Sequence, residues 1–227
     1  MILHKQQRPN VNKVDALALD DREKEVIKEY LLIEKDYRYA LREMSAKLEN
    51  LDDYCQLTLA HNPIHHIESR IKTSQNIIDK IKKRGYTMDM NTVYELIYDI
   101  AGIRVICNYI SDIYHIIDLL MEHKDLTVRL KKDYIKNPKE SGYRSIHVVF
   151  DMDMYIDKQI KKVPVEIQFR TMAMDLWASL EHEIRYKGDV YLSEDDKLNL
   201  KAYSDDLHQV DLKMQKLFEG VMYNKSE

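Results

Sequence analysis

What the 227-residue chain has little of narrows its class before anything in it points to a function. It has two cysteines, Cys55 and Cys107, which exclude both a disulfide framework and a four-ligand zinc site. A reducing, cytoplasmic setting is therefore expected. No run approaches 18 apolar residues, so no membrane-spanning helix is expected. The opening residues, MILHKQQRPN, lack the apolar stretch and small-residue cleavage pattern of a secretory signal. Neither sign of charge dominates. With 35 Lys and Arg against 39 Asp and Glu, the net charge of −4 argues against a duplex-DNA binder working through overall charge. No internal repeat, low-complexity segment or Pro/Gly-rich linker is visible. No glycine-rich P-loop pattern occurs, so any nucleotide chemistry must take another route. Only five glycines are present, which makes each informative about backbone or packing. Gly85, Gly102 and Gly142 each lie in or beside a polar or charged cluster, while Gly188 follows a helical pattern and Gly220 lies near the tail.

What is present describes a soluble globular domain. Apolar residues make up 44% and charged residues 33%, enough to build a core. Residues 20–58 read as a charged helix capped by Asp20 or Asp21. Asn62-Pro63 reads as a helix start, because a capping side chain precedes a proline in the first turn. Ile64, Ile67, Ile71, Ile78 and Ile81 then recur at helical spacing up to Gly85. Thr92-x-x-Glu95 reads as a capping box for a short helix ending near Asp99. Strands are expected over residues 103–110, 126–130, 145–150 and 163–170, with helices over 112–123 and 171–187. A last helix is capped by Ser193, with Glu194, Asp195 and Asp196 at the end where the helix dipole favours acids. Helices, a mixed centre and helices again make an α+β domain with a four- or five-stranded sheet. The expected divisions are an N-terminal helical extension (1–59), a catalytic centre (60–190) and a C-terminal helix (191–227).

Four groups of residues can carry chemistry. Residues 70–84 hold Arg70, Lys72, Lys80, Lys82, Lys83 and Arg84 against one acid, Asp79. This is either a solvated basic face or a polyphosphate clamp. Residues 124–144 add seven cations against three acids. Within them, Lys139-Glu-Ser-Gly-Tyr-Arg-Ser145 is either an ordinary hairpin loop or a phosphate-binding loop whose Tyr143 stacks on a base. Along 163–170, two-residue alternation puts Val163, Val165, Ile167 and Phe169 on one face and Glu166, Gln168 and Arg170 on the other. The same alternation sends Ser145 and His147 to one side of their strand. If the strands are neighbours, a carboxylate, an imidazole, an amide and a guanidinium share a sheet face. Finally, Asp99 and Glu166 are two acids able to hold Mg²⁺, which needs few protein ligands when nucleotide phosphates supply the rest. His61, His65 and His66 lack a metal-protease pattern and read as exposed, and Cys107 reads as a core residue.

Taken together, Tyr98-Asp-Ile-Ala-Gly-Ile-Arg104, Lys139-Glu-Ser-Gly-Tyr-Arg-Ser-Ile-His147, Val165-Glu-Ile-Gln-Phe-Arg-Thr171 and Trp177-Ala-Ser-Leu-Glu-His182 resemble the synthetase domain of the RelA/SpoT family. The chain is similar to its single-domain form, the small alarmone synthetases. The resemblance covers about residues 60–190. It implies a nucleotidyltransferase-like mixed sheet flanked by helices, Mg²⁺ dependence and often a homotetramer. It also implies transfer of the β,γ-pyrophosphate of ATP to the ribose 3′-hydroxyl of GDP or GTP, with release of AMP. Carried over by position, Arg70 and Arg104 match the arginines that stack on adenine. Lys72, Lys80 and Lys83 match the residues on the ATP phosphates, and Asp99 and Glu166 the acids around the metal. Glu166 also matches the proposed base. Tyr143 matches the guanine-stacking aromatic, and Lys139 and His147 the contacts to acceptor phosphates. Ser145, Gln168 and Arg170 fall in the same acceptor motifs. Asp175 stands where some relatives have Asn for guanine.

The resemblance further implies synthesis only, since the His-Asp motif of the hydrolase domain does not occur. Of two small branches, the RelQ-like one binds alarmone through basic residues on an N-terminal helix and a Phe-x-Thr segment. Here Ser45, Glu49 and Asp52, with His66 and Glu68, stand in those places. Acids repel a polyphosphate, so a RelP-like enzyme without activation by pppGpp is expected. Leu200, Tyr203, Leu207, Val210, Met214 and Leu217 recur at three-four spacing and form a seam. That seam either docks on its own domain or joins copies. The competing reading of the basic loops is a non-catalytic guanine-nucleotide or single-stranded RNA binder.

Overall fold

The computed structural model describes residue 14, residues 18–186 and residues 192–224. Gly188 and the boundary at 190/191 lie outside these. Helix α1 (Asp21–Thr58) opens with the expected cap: the Asp20 carboxylate accepts from the Glu23 N–H at 2.8 Å, and Glu23 accepts in return from the Asp20 N–H at 3.0 Å. There follow β1 (Ile64–Ile71), α2 (Ser74–Arg84), α3 (Met90–Leu96), β2 (Ala101–Cys107) and α4 (Ile110–Met121). Then come β3 (Leu126–Asp133), β4 (Ile146–Ile156), β5 (Gln159–Thr171), α5 (Met172–Tyr186) and α6 (Glu194–Asn224). The five strands form one mixed sheet in the order β1-β2-β5-β4-β3, in which β2 and β5 run parallel and the other neighbours antiparallel. The α+β architecture expected from the sequence is therefore present.

One segment is corrected. The helix read from Asn62-Pro63 to Gly85 is a strand followed by a shorter helix. Ile64, Ile67 and Ile71 imitate helical spacing because a register shift between Ile64 and His66 adds a residue to the ladder. Beyond that bulge a spacing of four keeps Ile67 and Ile71 on one face of the strand. All three isoleucines pair with apolar-face positions of β2, namely Cys107, Val105 and Ala101. The helix starts at Thr73, whose hydroxyl accepts from the Asn76 N–H at 3.3 Å. Gly85 ends it at φ +65°, a conformation that costs a side-chain-bearing residue more than glycine. Two smaller corrections follow. The cap of α3 is Asp89, which accepts from the Thr92 N–H at 2.8 Å, so Thr92 lies inside the helix. Strands β4 and β5, expected at 145–150 and 163–170, extend toward each other and meet in a hairpin. Asp157 and Lys158 both take positive φ there, the two-residue turn that matches strand twist.

The expected alternation along 163–170 is observed. Val163, Val165, Ile167 and Phe169 are buried with Ile146, Val148 and Phe150 of β4, and Ile103 and Val105 of β2. Isoleucines 113, 116 and 117 of α4 and Tyr30, Met44 and Leu48 of α1 complete the same core. Burial of this continuous apolar layer is the main stabilising term. It leaves the opposite, polar sheet face free for a site.

Candidate functional site

The pairing register assembles the polar face. At one level, Glu68 on β1 lies beside Arg104 on β2, then Gln168 on β5, His147 on β4 and Lys132 on β3. One level away are Arg70, Gly102 and Glu166. A cleft of about 130 Å³ opens over this face, lined by Glu68, Ser69, Arg70, Asp99, Gly102, Ile103, Arg104, Glu166 and Gln168.

Asp99, just before β2, stands between two cations. Its carboxylate accepts from Lys72 at 2.9 Å and from Lys80 at 2.8 Å. Burial pushes this carboxyl up, but the two ammonium groups outweigh it and hold it below the usual range. Lys72 follows β1 and Lys80 lies on α2, so a strand end and a helix deliver the two cations to one acid. Lys83 is exposed further along α2, and Arg70 is exposed on β1 at the cleft wall. Arg104 bridges Glu68 at 3.2 Å and Asp175 at 3.3 Å, while its Nε is buried without a partner.

Around Glu166 the contacts close into a ring. Gln168 Nε2 donates to Glu166 at 3.1 Å, and His147 Nδ1 lies 3.4 Å from the other carboxylate oxygen. His147 Nε2 meets the Tyr143 hydroxyl at 2.7 Å. Arg170 donates to Tyr143 Oη at 2.9 Å and to Gln168 Oε1 at 3.0 Å, completing the circuit. Arg170 also donates to Asp175 at 2.9 Å. Burial raises the Glu166 carboxyl, yet His147 and Gln168 together bring it below its ordinary value, against repulsion from Asp99. Glu166 is thus ionised at neutral pH. In that form it can accept a hydrogen bond or a proton.

Lys139 lies 4.5 Å from the centre of the Tyr143 ring and 4.7 Å from that of Tyr134. Burial, with Lys132 and Arg84 nearby, lowers its pKa. Glu166 and Glu181 act in the opposite direction without offsetting this.

Two expectations change. Ser145 is fully buried and its hydroxyl donates to the Phe169 carbonyl at 3.0 Å, so it ties β4 to β5 beneath the site instead of facing an acceptor. Asp175 is already engaged by Arg104 and Arg170 through one oxygen, which makes it a link between the halves of the site. Glu68 and Tyr134 were missed as site residues. Glu68 would have been found had His66, Glu68 and Arg70 been read at strand period. The three histidines show no metal arrangement, and no cluster of three metal-ligating residues exists among the described residues. His61 instead pairs with Asp112 at 2.9 Å.

Asp99 and Glu166 nonetheless fit a hard dication that draws its other ligands from phosphate and water. They are oxygen donors on one cleft, and the charge of Asp99 disfavours ionisation of Glu166, a repulsion that a bound cation relieves.

The model for the region found in RelA and SpoT proteins matches residues 69–191. GTP pyrophosphokinase YwaC of Bacillus subtilis is 39% identical over 178 residues, covering 78% of this chain and 85% of that protein. GTP pyrophosphokinase YjbM of the same organism is 34% identical, covering 80% and 84%. The crystal structure of small alarmone synthetase 2 from Bacillus subtilis superposes with a TM-score of 0.76 at 36% identity, covering 85% of this chain and 99% of that one. Small alarmone synthetase 1, bound to its product pppGpp, gives 0.75 at 34% identity, covering 82% and 94%. The chain belongs to the RelA/SpoT family. Within it, the chain groups with the small alarmone synthetases.

Proposed function

We propose that this protein is a GTP pyrophosphokinase that moves the β,γ-pyrophosphate of ATP to the 3′-hydroxyl of GDP or GTP, making ppGpp or pppGpp and AMP. The observation that carries the reading is the placement of Asp99, with its two lysines, and the Glu166–Tyr143 ring on one sheet face. A donor site and an acceptor site therefore flank the same carboxylate.

Arg70 and Arg104 offer guanidinium planes to the adenine. Lys72, Lys80 and Lys83 supply cations to its phosphates, the first two by turning from Asp99. Tyr143 offers its ring to guanine, and Lys139 and His147 face the acceptor phosphates. Gln168 and Arg170 hold Tyr143 and Glu166 in place. Asp175 remains able to accept from guanine N–H groups through its second oxygen. Mg²⁺ would be held by Asp99 and Glu166, where it supplies charge to balance the phosphoryl oxygens. In the transfer the O3′–Pβ bond forms, and the bond from Pβ to the oxygen bridging Pα breaks. AMP leaves with that oxygen. Glu166 accepts the hydrogen bond of the 3′-hydroxyl, orients it for attack and takes its proton as the O3′–Pβ bond forms. Placing cations where negative charge develops is the main source of acceleration in such transfers.

Location, assembly and branch follow from the same reading. The enzyme acts in the cytoplasm, with its substrates. Two free, buried cysteines support a reducing setting, and no helix among the described residues is long and apolar enough to cross a membrane. It is a homotetramer. The seam expected on α6 divides: Leu200 and Leu207 lean toward the domain, whereas Tyr203, Val210, Met214 and Leu217 are exposed. Exposed Met172, Leu176, Leu180 and Ile184 form a second stripe on α5. Such apolar stripes are what association covers. It is RelP-like, because Glu49 and Asp52 place negative charge where a regulatory polyphosphate would bind.

The test is a product assay with γ-labelled ATP, Mg²⁺ and GDP or GTP, beside Glu166→Gln. Labelled ppGpp or pppGpp with equimolar AMP, lost in the variant, is expected. Folded protein that binds nucleotide or RNA without turnover, with pppGpp also tried as activator, would overturn the reading.

A further inference from the structure

We propose that helix α6 latches the loop carrying Tyr143, and that Arg144, Ser204 and Asp205 are thereby positioning residues for the acceptor nucleotide. This rests on the reading of Lys139 and Tyr143 as acceptor-binding residues.

Residues 139–145 make a tight turn, with the Gly142 N–H donating to the Lys139 carbonyl at 2.8 Å and the Lys139 N–H donating to the Tyr143 carbonyl at 3.2 Å. Past the turn the chain is extended, and neighbouring side chains point opposite ways. Tyr143 faces the site, where its hydroxyl meets His147 and Arg170. Gly142 and Arg144 face α6.

The contact with α6 is close. Gly142 has φ +91°, and a Cβ on it would lie 2.9 Å from Ser204 Cβ and 3.1 Å from Lys201 Cα. Only a glycine lets the loop backbone rest directly on the helix. Ser204 is buried, and its hydroxyl donates to the Gly142 carbonyl at 2.6 Å. Arg144 donates to Ser204 Oγ at 2.9 Å and to the Gly142 carbonyl at 3.3 Å, and pairs with Asp205 at 2.9 Å. The Arg144 side chain is 10% exposed. The gap beside it is about 10 Å³, too small for a ligand, so these polar groups serve the loop and not a second molecule.

The loop is thus pinned on both sides of Tyr143 from a helix that contributes nothing to the cleft itself. Cutting the latch frees the loop, and an acceptor must then order it on binding. ATP, bound on the β1–β2 side, is not affected. The chemical step within the bound complex is unchanged. The signature is a raised acceptor KM at nearly constant kcat and constant ATP KM.

The sole tryptophan makes a control available. Trp177 Nε1 donates to the Leu200 carbonyl at 2.8 Å, so its fluorescence reports whether α6 remains seated. Arg144→Ala, Arg144→Lys, Asp205→Ala and the double variant Arg144→Ala/Asp205→Ala are compared with Tyr143→Ala in steady-state assays varying each substrate. Arg144→Ala should raise acceptor KM by about tenfold, since hydrogen bonds to a charged, desolvated group are lost. Asp205→Ala should raise it by only about threefold, its carboxylate being half exposed. The double variant should match Arg144→Ala, because the two act through one contact. Arg144→Lys should fall between Arg144→Ala and the parent, and Trp177 emission should not move. A parallel loss in acceptor and ATP parameters with shifted emission would show that Arg144 only holds α6 and would overturn the proposal. Unchanged acceptor KM in Arg144→Ala, with a raised value in Tyr143→Ala, would overturn the latch and keep the acceptor reading. Unchanged acceptor KM in Tyr143→Ala would overturn both.

Discussion

Asp99→Asn separates two duties of one carboxylate. In the free protein Asp99 neutralises Lys72 and Lys80, whose side chains are 14% and 28% exposed. The amide keeps the shape but removes the charge. Two largely desolvated ammonium groups then face each other with no anion. Charge-assisted hydrogen bonds are each worth about 1.5–3 kcal/mol. The exposure of Lys80 and the burial cost already carried by Asp99 reduce the sum, leaving about 2–4 kcal/mol of destabilisation. In a chain of this length that is about 5–12 °C in Tm, measured by scanning calorimetry. Turnover should fall by at least about a hundredfold, because the Mg²⁺ proposed to bind at Asp99 and Glu166 would lose a ligand. The discriminating measurement adds a non-hydrolysable ATP analogue without Mg²⁺. Its phosphates give the lysines the anion they lack, so the variant should gain more Tm than the parent. An unperturbed Tm without nucleotide, or a smaller gain with it, would refute the picture of lysines held in waiting by Asp99.

Other outcomes follow from single contacts. Ser145→Ala should cost about 1–3 kcal/mol in urea denaturation and leave acceptor KM unchanged, since its hydroxyl meets only the Phe169 carbonyl and its own backbone neighbour. At alkaline pH, burial raises the pKa of Tyr30, Tyr37 and the Cys107 thiol in the folded protein. The unfolded chain loses these protons first, so stability should begin to fall as pH rises past about 9–10 and keep falling toward the raised folded values, and pH-dependent melts should show no matching loss between about 7 and 8.5. Val210→Glu with Met214→Glu should turn the proposed homotetramer into smaller species in sedimentation without lowering Tm by more than a few degrees, because both side chains are half exposed in the protomer.

Much of this was legible in the sequence where local chemistry and tertiary context agree. Asp20, Gly85 and Ser193 behave as end signals because capping is decided within four residues. The two faces of β5 were readable because a buried sheet enforces strict alternation. What failed was the segment from 62 to 73, where a bulge shifted the spacing of Ile64 and Ile67 and produced a helical period in a strand. That misreading hid Glu68 from the site. Ser145 lay in the right motif but faces inward, since the hydroxyl completes the hydrogen bonding of a buried carbonyl. The latch on α6 joins residues about sixty positions apart, and no local pattern announces such a contact.

The two halves of the site are tied by Arg170 and Asp175. Arg170 is buried, yet it reaches Gln168, Tyr143 and Asp175, and Asp175 passes the connection to Arg104 on β2. A reaction between two nucleotides needs both held within reach of one carboxylate before either phosphorus or hydroxyl is activated. Strand pairing alone fixes Glu166 beside Gly102 and Gln168 beside Arg104. It does not fix Tyr143, which enters from a loop. The arginine–aspartate link and the ring through His147 bring that loop residue into the sheet's frame, and Arg104 is oriented by the same aspartate. The polar contacts crowded into this face thus hold the residues proposed for donor and acceptor in one geometry. Their dependence on a few buried charges is what makes the arrangement sensitive to loss of any one of them.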